Sequence, residues 1–338
     1  MSTKTADGGD SDSIHSVIQS ILGNKKKILE DPDLATSVAD MAIFDSLVTK
    51  FEQLDRRSDE TEGKKSAYAA QRDSNQNKLI FSLLEMMKNK IELFENEMAI
   101  AEKIQKNLLP DKVPEIPGYE FEAYYAPSKH VSGDYYDFYQ PDKERLYFLI
   151  ADVSGHGVPS SLIVASMQAY LCAQIQEQKS LNAMIENLND YLIETTLSSK
   201  FVTLFIGVIE LSTGSITYIN AGHNPPYIIG ADNEVRELTG GGPLLGMFEN
   251  TLFSSGRAQL HDGEILVLFT DGVVEAMNRE EEEFSEERFI KVIQREGHET
   301  LIKIMLQLFK EVRLFCDGVP YGDDITICFI RKTEVKTE

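Results

Sequence analysis

The sequence predicts an α+β chain in which an all-helical N-terminal region precedes a part with sheets inside and helices outside. Two observations carry this. From Ile14 to about Leu109 apolar residues recur at helical spacing among abundant Lys, Glu and Gln, with a single proline, Pro32, and almost no strand signal. After "PDKVPEIPGYE", residues 110–120, short runs rich in Val, Ile, Tyr and Phe alternate with Gly, Pro, Asn and Asp.

In chain order, residues 1–13 are polar and rich in Gly, Ser and Asp, the composition of a disordered tail. Residues 14–78 read as a helical regulatory region. Within 79–109, Ile80, Leu84, Met87, Ile91, Phe94, Met98, Ala101, Gln105 and Leu108 are spaced alternately by four and three, a heptad seam with "KNK", "ENE" and "EK" between. Such a seam serves either a coiled-coil linker that makes a homodimer or a long amphipathic helix lying on its own domain. Pro110 forbids continuation of the helix.

The strand-like runs are "FEAYYAP", "RLYFLIAD", "FVTLFIGVIEL", "SITYINAG", "PPYIIG", "EILVLFTDG" and "ITICFIRK". Several are apolar throughout, as strands covered on both faces are. "IELSTGSITYI" is a hairpin with a Ser-Thr-Gly turn. Helical patterns intervene at about 159–178, 181–197 and 284–315, and layering sheets inside helices buries all of these faces.

Composition narrows the function. A chain of 338 residues, 42% apolar and 26% charged, buries a substantial core. Its formal charge of −22 excludes a nucleic-acid partner, which needs a basic footprint. No apolar run reaches the ~18 residues of a spanning helix and "MSTKTADGGDSDS" is no signal peptide, so the expectation is no membrane and a cytoplasmic location. Cys172, Cys316 and Cys328 are scattered in apolar surroundings, and none has an arginine six positions on. They read as buried reduced thiols.

The chemistry lies in where carboxylates fall relative to the strands. Asp134 and Asp137 sit in "VSGDYYDFY", Asp152 follows "YFLIA", Asp271 follows "ILVLFT", and Asp323 with Asp324 precedes "ITICFI". Each group has a nearby glycine: Gly133, Gly155, Gly272 and Gly322. Each alone is compatible with an ordinary turn aspartate. As a converging set they would repel, by ~4 kcal/mol for two charges ~4 Å apart at an effective dielectric near 20, and would need cations. All-oxygen donors without Cys or paired His point to Mg²⁺ or Mn²⁺, and four or five carboxylates suit two ions. The ions would also supply the positive field that this chain lacks.

The ordered segments "VSGDYYDFY", "ADVSGHGVPSSLIVASM", "NAGHNPPYII", "GGPLLGM", "LFTDGVVEAMN" and "YGDDITICFI" resemble the metal-dependent Ser/Thr protein phosphatases of the type 2C superfamily, most of all their bacterial SpoIIE/RsbU branch. "AEKIQKNLLPDKVPEIPGYEFEAYYAP" is similar to the linker of that branch, and the resemblance covers about Ala99 to Arg331. It implies an αββα sandwich, two central antiparallel sheets flanked by helices, as a phosphatase domain at 116–338. It also implies a hydrolase that holds two Mn²⁺ or Mg²⁺ ions and cleaves phosphoserine or phosphothreonine with metal-activated water. Carried over by residue, Asp152 would bridge the ions with the Val153 carbonyl completing one. Asp271 and Asp323 would hold the other, Asp134 would join directly or through water, and Asp323 is preferred to Asp324 as ligand. The implied substrate is a phosphoprotein such as an anti-sigma-factor antagonist, with a regulatory protein acting on the N-terminal helical region.

Eukaryotic members carry a phosphate-binding arginine where this chain offers Lys129 and His130. Lys129 is either a point charge for phosphate or a solvated side chain. His156 is either a substrate contact and general acid or a loop histidine facing solvent, and His223 reads as a hydrogen-bonding loop organiser. The acidic run 278–288 reads as a solvated loop leading into a helix. Two rival functions remain: a catalytically silent relative that binds phosphoproteins, and a binuclear metallohydrolase of small phosphoesters.

Overall fold

Strict alternation along doubly covered strands organises the molecule. In the computed structural model, which describes residues 67–230 and 232–334, every second residue of β3 (Arg145–Val153) faces a different layer. Leu146, Phe148 and Ile150 enter a core between two sheets, while Tyr147, Leu149 and Ala151 enter a core beneath helices. The same holds for β10 (Ile265–Phe269), where Leu266 and Leu268 lie between the sheets and Ile265, Val267 and Phe269 lie under the other helical layer. These runs are apolar throughout because both faces are buried.

The expected tail at 1–13 lies outside the described residues, as does the expected helical region 14–78 up to residue 66. The chain divides into two units, Met1–Glu97 and Met98–Glu338. Helix α1 (Ala67–Lys106) runs through the division. Along its seam Ile80, Leu84 and Gln105 are buried and the other members half-buried, between mostly exposed positions. At the C-terminal end the helix lies on its own domain: Gln105 Nε2 donates to the Ser132 carbonyl at 2.7 Å, and Ser132 N donates to Gln105 Oε1 at 2.9 Å. Regular helix stops at Lys106, ahead of Pro110, and turns carry the chain through Leu109.

In the second unit, one sheet has the order β1 (Tyr119–Ala126), β11 (Ile325–Lys332), β10, β6 (Tyr227–Ile229), β7 (Val235–Glu237). The other runs β2 (Asp134–Tyr139), β3, β4 (Val202–Glu210), β5 (Ser215–Ala221), β8 (Gly241–Gly242), with β9 (Gly256–Gln259) also on β5. Pairing is antiparallel apart from β5 with β8. Helices α2 (Val158–Gln176) and α3 (Leu181–Thr195) cover the second sheet through Val164, Met167, Leu171, Met184 and Leu188. Beyond the four-residue α4 (Asp271–Val274), α5 (Glu286–Glu296) and α6 (Leu301–Cys316) cover the first through Phe289, Val292, Ile304 and Leu308. The architecture is the αββα sandwich that the resemblance implied.

Three differences from expectation have local causes. The helical pattern at 284–315 is two helices, because Gly297 closes α5 and extended Thr300 opens α6. Strands β7, β8 and β9 span two to four residues, too short for a period to register. Helix α2 is long and apolar enough to cross a membrane by length and composition, contrary to the expectation that no run would be. Its Val164, Met167, Leu171 and Ile175 are spent on the core instead.

His223 ties the two sheets together. Its Nε2 lies 3.1 Å from the Phe269 carbonyl on β10, which can only accept, so Nε2 carries the proton and Nδ1 accepts from Thr203 Oγ1 of β4 at 2.8 Å. Burial holds its pKa down at about 4, so the ring is neutral, which agrees with the structural role expected of it. The folded value lies below the unfolded one; the resulting stability is full above pH ~6.5 and is lost as pH falls toward 4, by up to ~3 kcal/mol. Denaturant unfolding across that range should show a steeper acid loss in the native chain than in His223→Gln; parallel curves would refute the buried neutral ring.

Candidate active site

Antiparallel pairing explains why distant aspartates meet. It sets the start of β2 against the end of β3, so that Asp134 lies directly opposite Asp152. In the other sheet it sets the end of β10 against the start of β11: Phe269 pairs with Ile327, and Thr270 N donates to the Thr326 carbonyl at 3.0 Å. Asp271 and Asp323 therefore flank the same rim. Alternation adds the rest, because Asp134, Asp152, Thr270, Asp324 and Thr326 continue the inter-sheet rows of their strands past the last apolar residue. Asp137 falls on the opposite face, where it accepts from Tyr135 OH at 2.7 Å, and takes no part.

Asp134 is buried, and its Oδ2 accepts from Thr270 Oγ1 at 2.7 Å and Thr326 Oγ1 at 2.6 Å, bonds that join one sheet to the other. Desolvation, then the charge of Asp152, pushes its pKa well above the ordinary carboxylate range. Asp152 is pushed up to about 7 by burial and then by Asp271 and Asp323. Asp271 and Asp323 are also raised, each first by burial; Asp323 is partly relieved by the backbone N–H of Asp324 and by the Lys129 ammonium. Like charges are thus gathered with little compensation from the chain. Among the described residues no three His, Cys, Asp or Glu side chains close around one point.

The two neighbours Asp323 and Asp324 differ sharply. Asp324 is buried with both oxygens occupied: Oδ1 accepts from Ser128 N at 2.6 Å and Ser128 Oγ at 2.8 Å, and Oδ2 from Ser132 Oγ at 2.6 Å and Gly133 N at 2.9 Å. It pins the loop before β2. Asp323 is exposed, and its Oδ1 accepts from the next backbone N–H, that of Asp324, at 2.8 Å. Lys129 and His156 meet at 3.1 Å; since an ammonium only donates, Nδ1 of His156 accepts and its proton sits on Nε2.

The glycines serve close approach more than turning. A methyl on Gly133 would lie 2.7 Å from the Val153 carbonyl oxygen, 3.0 Å from that of Gly155 and 3.4 Å from Asp152 Oδ1, so the bare Cα leaves a recess lined by oxygen. A methyl on Gly272 would collide with the Asp324 carbonyl oxygen, while Asp271 itself opens α4 and occupies no turn. Gly155 and Gly157 do take positive φ, of 78° and 80°, and bend the loop into α2 just ahead of Pro159.

Sequence reasoning passed over Glu275, whose pKa is raised by burial and then by Asp271 and Asp323. Its spacing of four from Asp271 along a helix was the available signal. It also passed over Thr270 and Thr326, next to the aspartates in "FTDG" and "DDIT". Lys200 went unnoticed as well; its Nζ donates to the Ser154 carbonyl at 2.7 Å, beside the Asp152 loop.

Comparison with known proteins agrees with the fold. The sequence profile of the family described as Stage II sporulation protein E (SpoIIE) matches residues 142–333. Phosphoserine phosphatase RsbU of Bacillus subtilis (strain 168) is 29% identical over 238 residues, 70% of this chain and 70% of RsbU. Protein IcfG of Synechocystis sp. is 28% identical over 258 residues, 68% of this chain but 40% of IcfG, so the chain spans less than half of that relative. Among solved structures, the SiaA-PP2C domain of Pseudomonas aeruginosa superposes with a TM-score of 0.64 over 72% of this chain and 98% of that domain, at 19% identity, a likeness of fold. With the profile covering more than half of its length and the sandwich matching a PP2C domain, the chain belongs to the SpoIIE family.

Proposed function

We propose that the protein is a Mn²⁺- or Mg²⁺-dependent serine/threonine phosphatase that hydrolyses phosphoserine or phosphothreonine on a regulatory phosphoprotein, such as an anti-sigma-factor antagonist, in the cytoplasm. The observation that carries it is the crowded carboxylate rim, with Asp152 raised to about 7 by burial and by the aspartates of the facing sheet. A set of hard oxygen donors next to an oxygen-lined recess at Gly133 fits two hard divalent ions in kind. Asp134, Asp152, Asp271, Asp323 and the Val153 carbonyl would hold them. Bound there, the ions would supply Lewis acidity toward phosphoryl oxygens and a water of lowered pKa.

The chain's own groups do the remaining work. Asp324 holds Ser128 to Gly133, and so Lys129, in place. Lys129 offers a point charge to the phosphate dianion, with its ammonium oriented by His156 Nδ1. Asp134, fixed by two threonine hydroxyls, keeps its other oxygen aimed by a rigid side chain. A candidate aspartate stands at every ligand position, which disfavours a silent binding relative. The linker helix at 79–109 pairs two copies through the half-buried Met87, Ile91 and Phe94 of its seam, and a regulatory partner acts through the N-terminal region.

Three outcomes are expected. Asp271→Asn should lose Mn²⁺-dependent release of phosphate from a phosphoserine protein by at least a hundredfold with its circular dichroism intact; near-native turnover would contradict the site. Asp323→Ala should weaken Mn²⁺ binding in calorimetry with little change in apo stability, whereas Asp324→Ala should cost about 2 kcal/mol or more of stability by orphaning two buried donors, Ser132 Oγ and Gly133 N. The reverse pattern would exchange their roles. For the homodimer, the full chain should sediment at twice its mass, and Ile91→Glu with Phe94→Glu at one; identical masses would dismiss the pairing.

A further inference from the structure

Resting on the metal-dependent reading above, we propose that Lys200 is a positioning residue for the metal site. Its ammonium holds the Ser154 carbonyl, and so fixes the loop whose Val153 and Gly155 carbonyls wall the recess beside Asp152.

A half-buried lysine in an acidic chain ordinarily ends on a carboxylate, because pairing offsets the desolvation of its charge. Lys200 ends elsewhere. Its Nζ donates to the Ser154 carbonyl at 2.7 Å and lies 3.5 Å from Ser160 Oγ. Among the described residues no carboxylate pairs with it, although the chain carries 55 Asp and Glu. The ammonium is spent on backbone, in a charge-assisted bond of the stronger kind.

Ser154 directly follows Val153 and is fastened at every polar group. Its N donates to the Phe201 carbonyl at 2.9 Å, its Oγ accepts from Phe201 N at 3.0 Å, and its carbonyl takes Lys200, with Ser160 Oγ further off at 3.3 Å. Fastening matters because the next residues are pliable. Gly155 and Gly157 have φ of 78° and 80°, and glycine resists rotation of the peptides beside it less than any other residue. Without Lys200 the Ser154–Gly155 peptide would be held by the long serine contact, and its turning would displace the carbonyl oxygens on either side. Those are the oxygens 2.7 Å and 3.0 Å from the point that a methyl on Gly133 would occupy, with Asp152 Oδ1 at 3.4 Å. A methyl on Gly155 would lie 2.8 Å from Lys200 Nζ, so the bare Cα that makes the loop pliable also makes room for the cation that stiffens it.

Charge and positioning predict opposite signs for the loss of this cation. Removing a positive charge beside a site for dications should by attraction alone tighten Mn²⁺. Loosening the carbonyls should weaken it, by about tenfold on the scale that loss of a ligand's support costs.

The test titrates the full chain with Mn²⁺ alone in calorimetry. Lys200→Met, near in length and uncharged, should raise the Kd about tenfold with native circular dichroism. Half-saturation of p-nitrophenyl phosphate hydrolysis should move to higher Mn²⁺ by the same factor, while KM for the ester at saturating Mn²⁺ stays within about twofold. Lys200→Arg, which keeps a cationic donor, should bind Mn²⁺ within about threefold of native. Lys179→Met, which removes a lysine paired with Glu177 at 3.1 Å, should change nothing. An unchanged or lower Kd in Lys200→Met, a loss of its fold, or an arginine variant as impaired as the methionine one leaves a merely structural lysine and overturns the proposal. So does a raised KM at unchanged Mn²⁺ affinity, which would make Lys200 a phosphate ligand. A native chain that takes up no Mn²⁺ fails the metal reading itself, and Lys200 then has nothing to position.

Discussion

The structure turns on the crowding of carboxylates at one open end of a two-sheet core. The inter-sheet layer is apolar through Leu146, Phe148, Ile150, Leu266, Leu268, Cys328 and Ile330, and then, one step further along the same rows, becomes Asp152, Thr270 and Thr326. Burying Asp134 there is costly unless its charge is met. Two hydroxyl donors meet part of the cost and at the same time bolt the sheets together. The remaining repulsion with Asp152 is the feature that a divalent cation would relieve.

Rigidity around that rim is supplied by groups that do no chemistry themselves. Asp324 and Gln105 both grip Ser132, one from the strand side and one from α1, so the loop that delivers Asp134 is held from two directions. His223 spans the sheets behind the site as a neutral ring. Catalytic geometry of this kind depends on locked supports more than on the ligands alone. It also places the end of α1 two hydrogen bonds from the site, a short mechanical path between the linker helix and the aspartates.

Much of this was legible beforehand. Seven strands and two helices follow from periodicity, expected at about 159–178 and 181–197 and found at 158–176 and 181–195, and the six ordered motifs marked the family. The heptad seam was legible as a pattern but not in its use: spacing alone does not say whether Gln105 faces a second copy or Ser132, and the structure gives it Ser132. Asp137 has the same surroundings in sequence as Asp134, yet three residues along a strand reverse the face. Asp323 and Asp324 are adjacent and identical in type, so only their hydrogen bonds separate a pinned carboxylate from an exposed one.

By itself, the sequence determined the α+β layering, the acidic strand ends and the glycines that let backbone pass close to them, because these are local properties of period, charge and side-chain size. Tertiary structure alone decided which aspartates share a rim, which hydroxyls hold Asp134, and that Glu275 and Lys200 belong to the neighbourhood. The reason is physical: convergence depends on the pairing register of strands far apart in the chain, and register is fixed by packing the whole core.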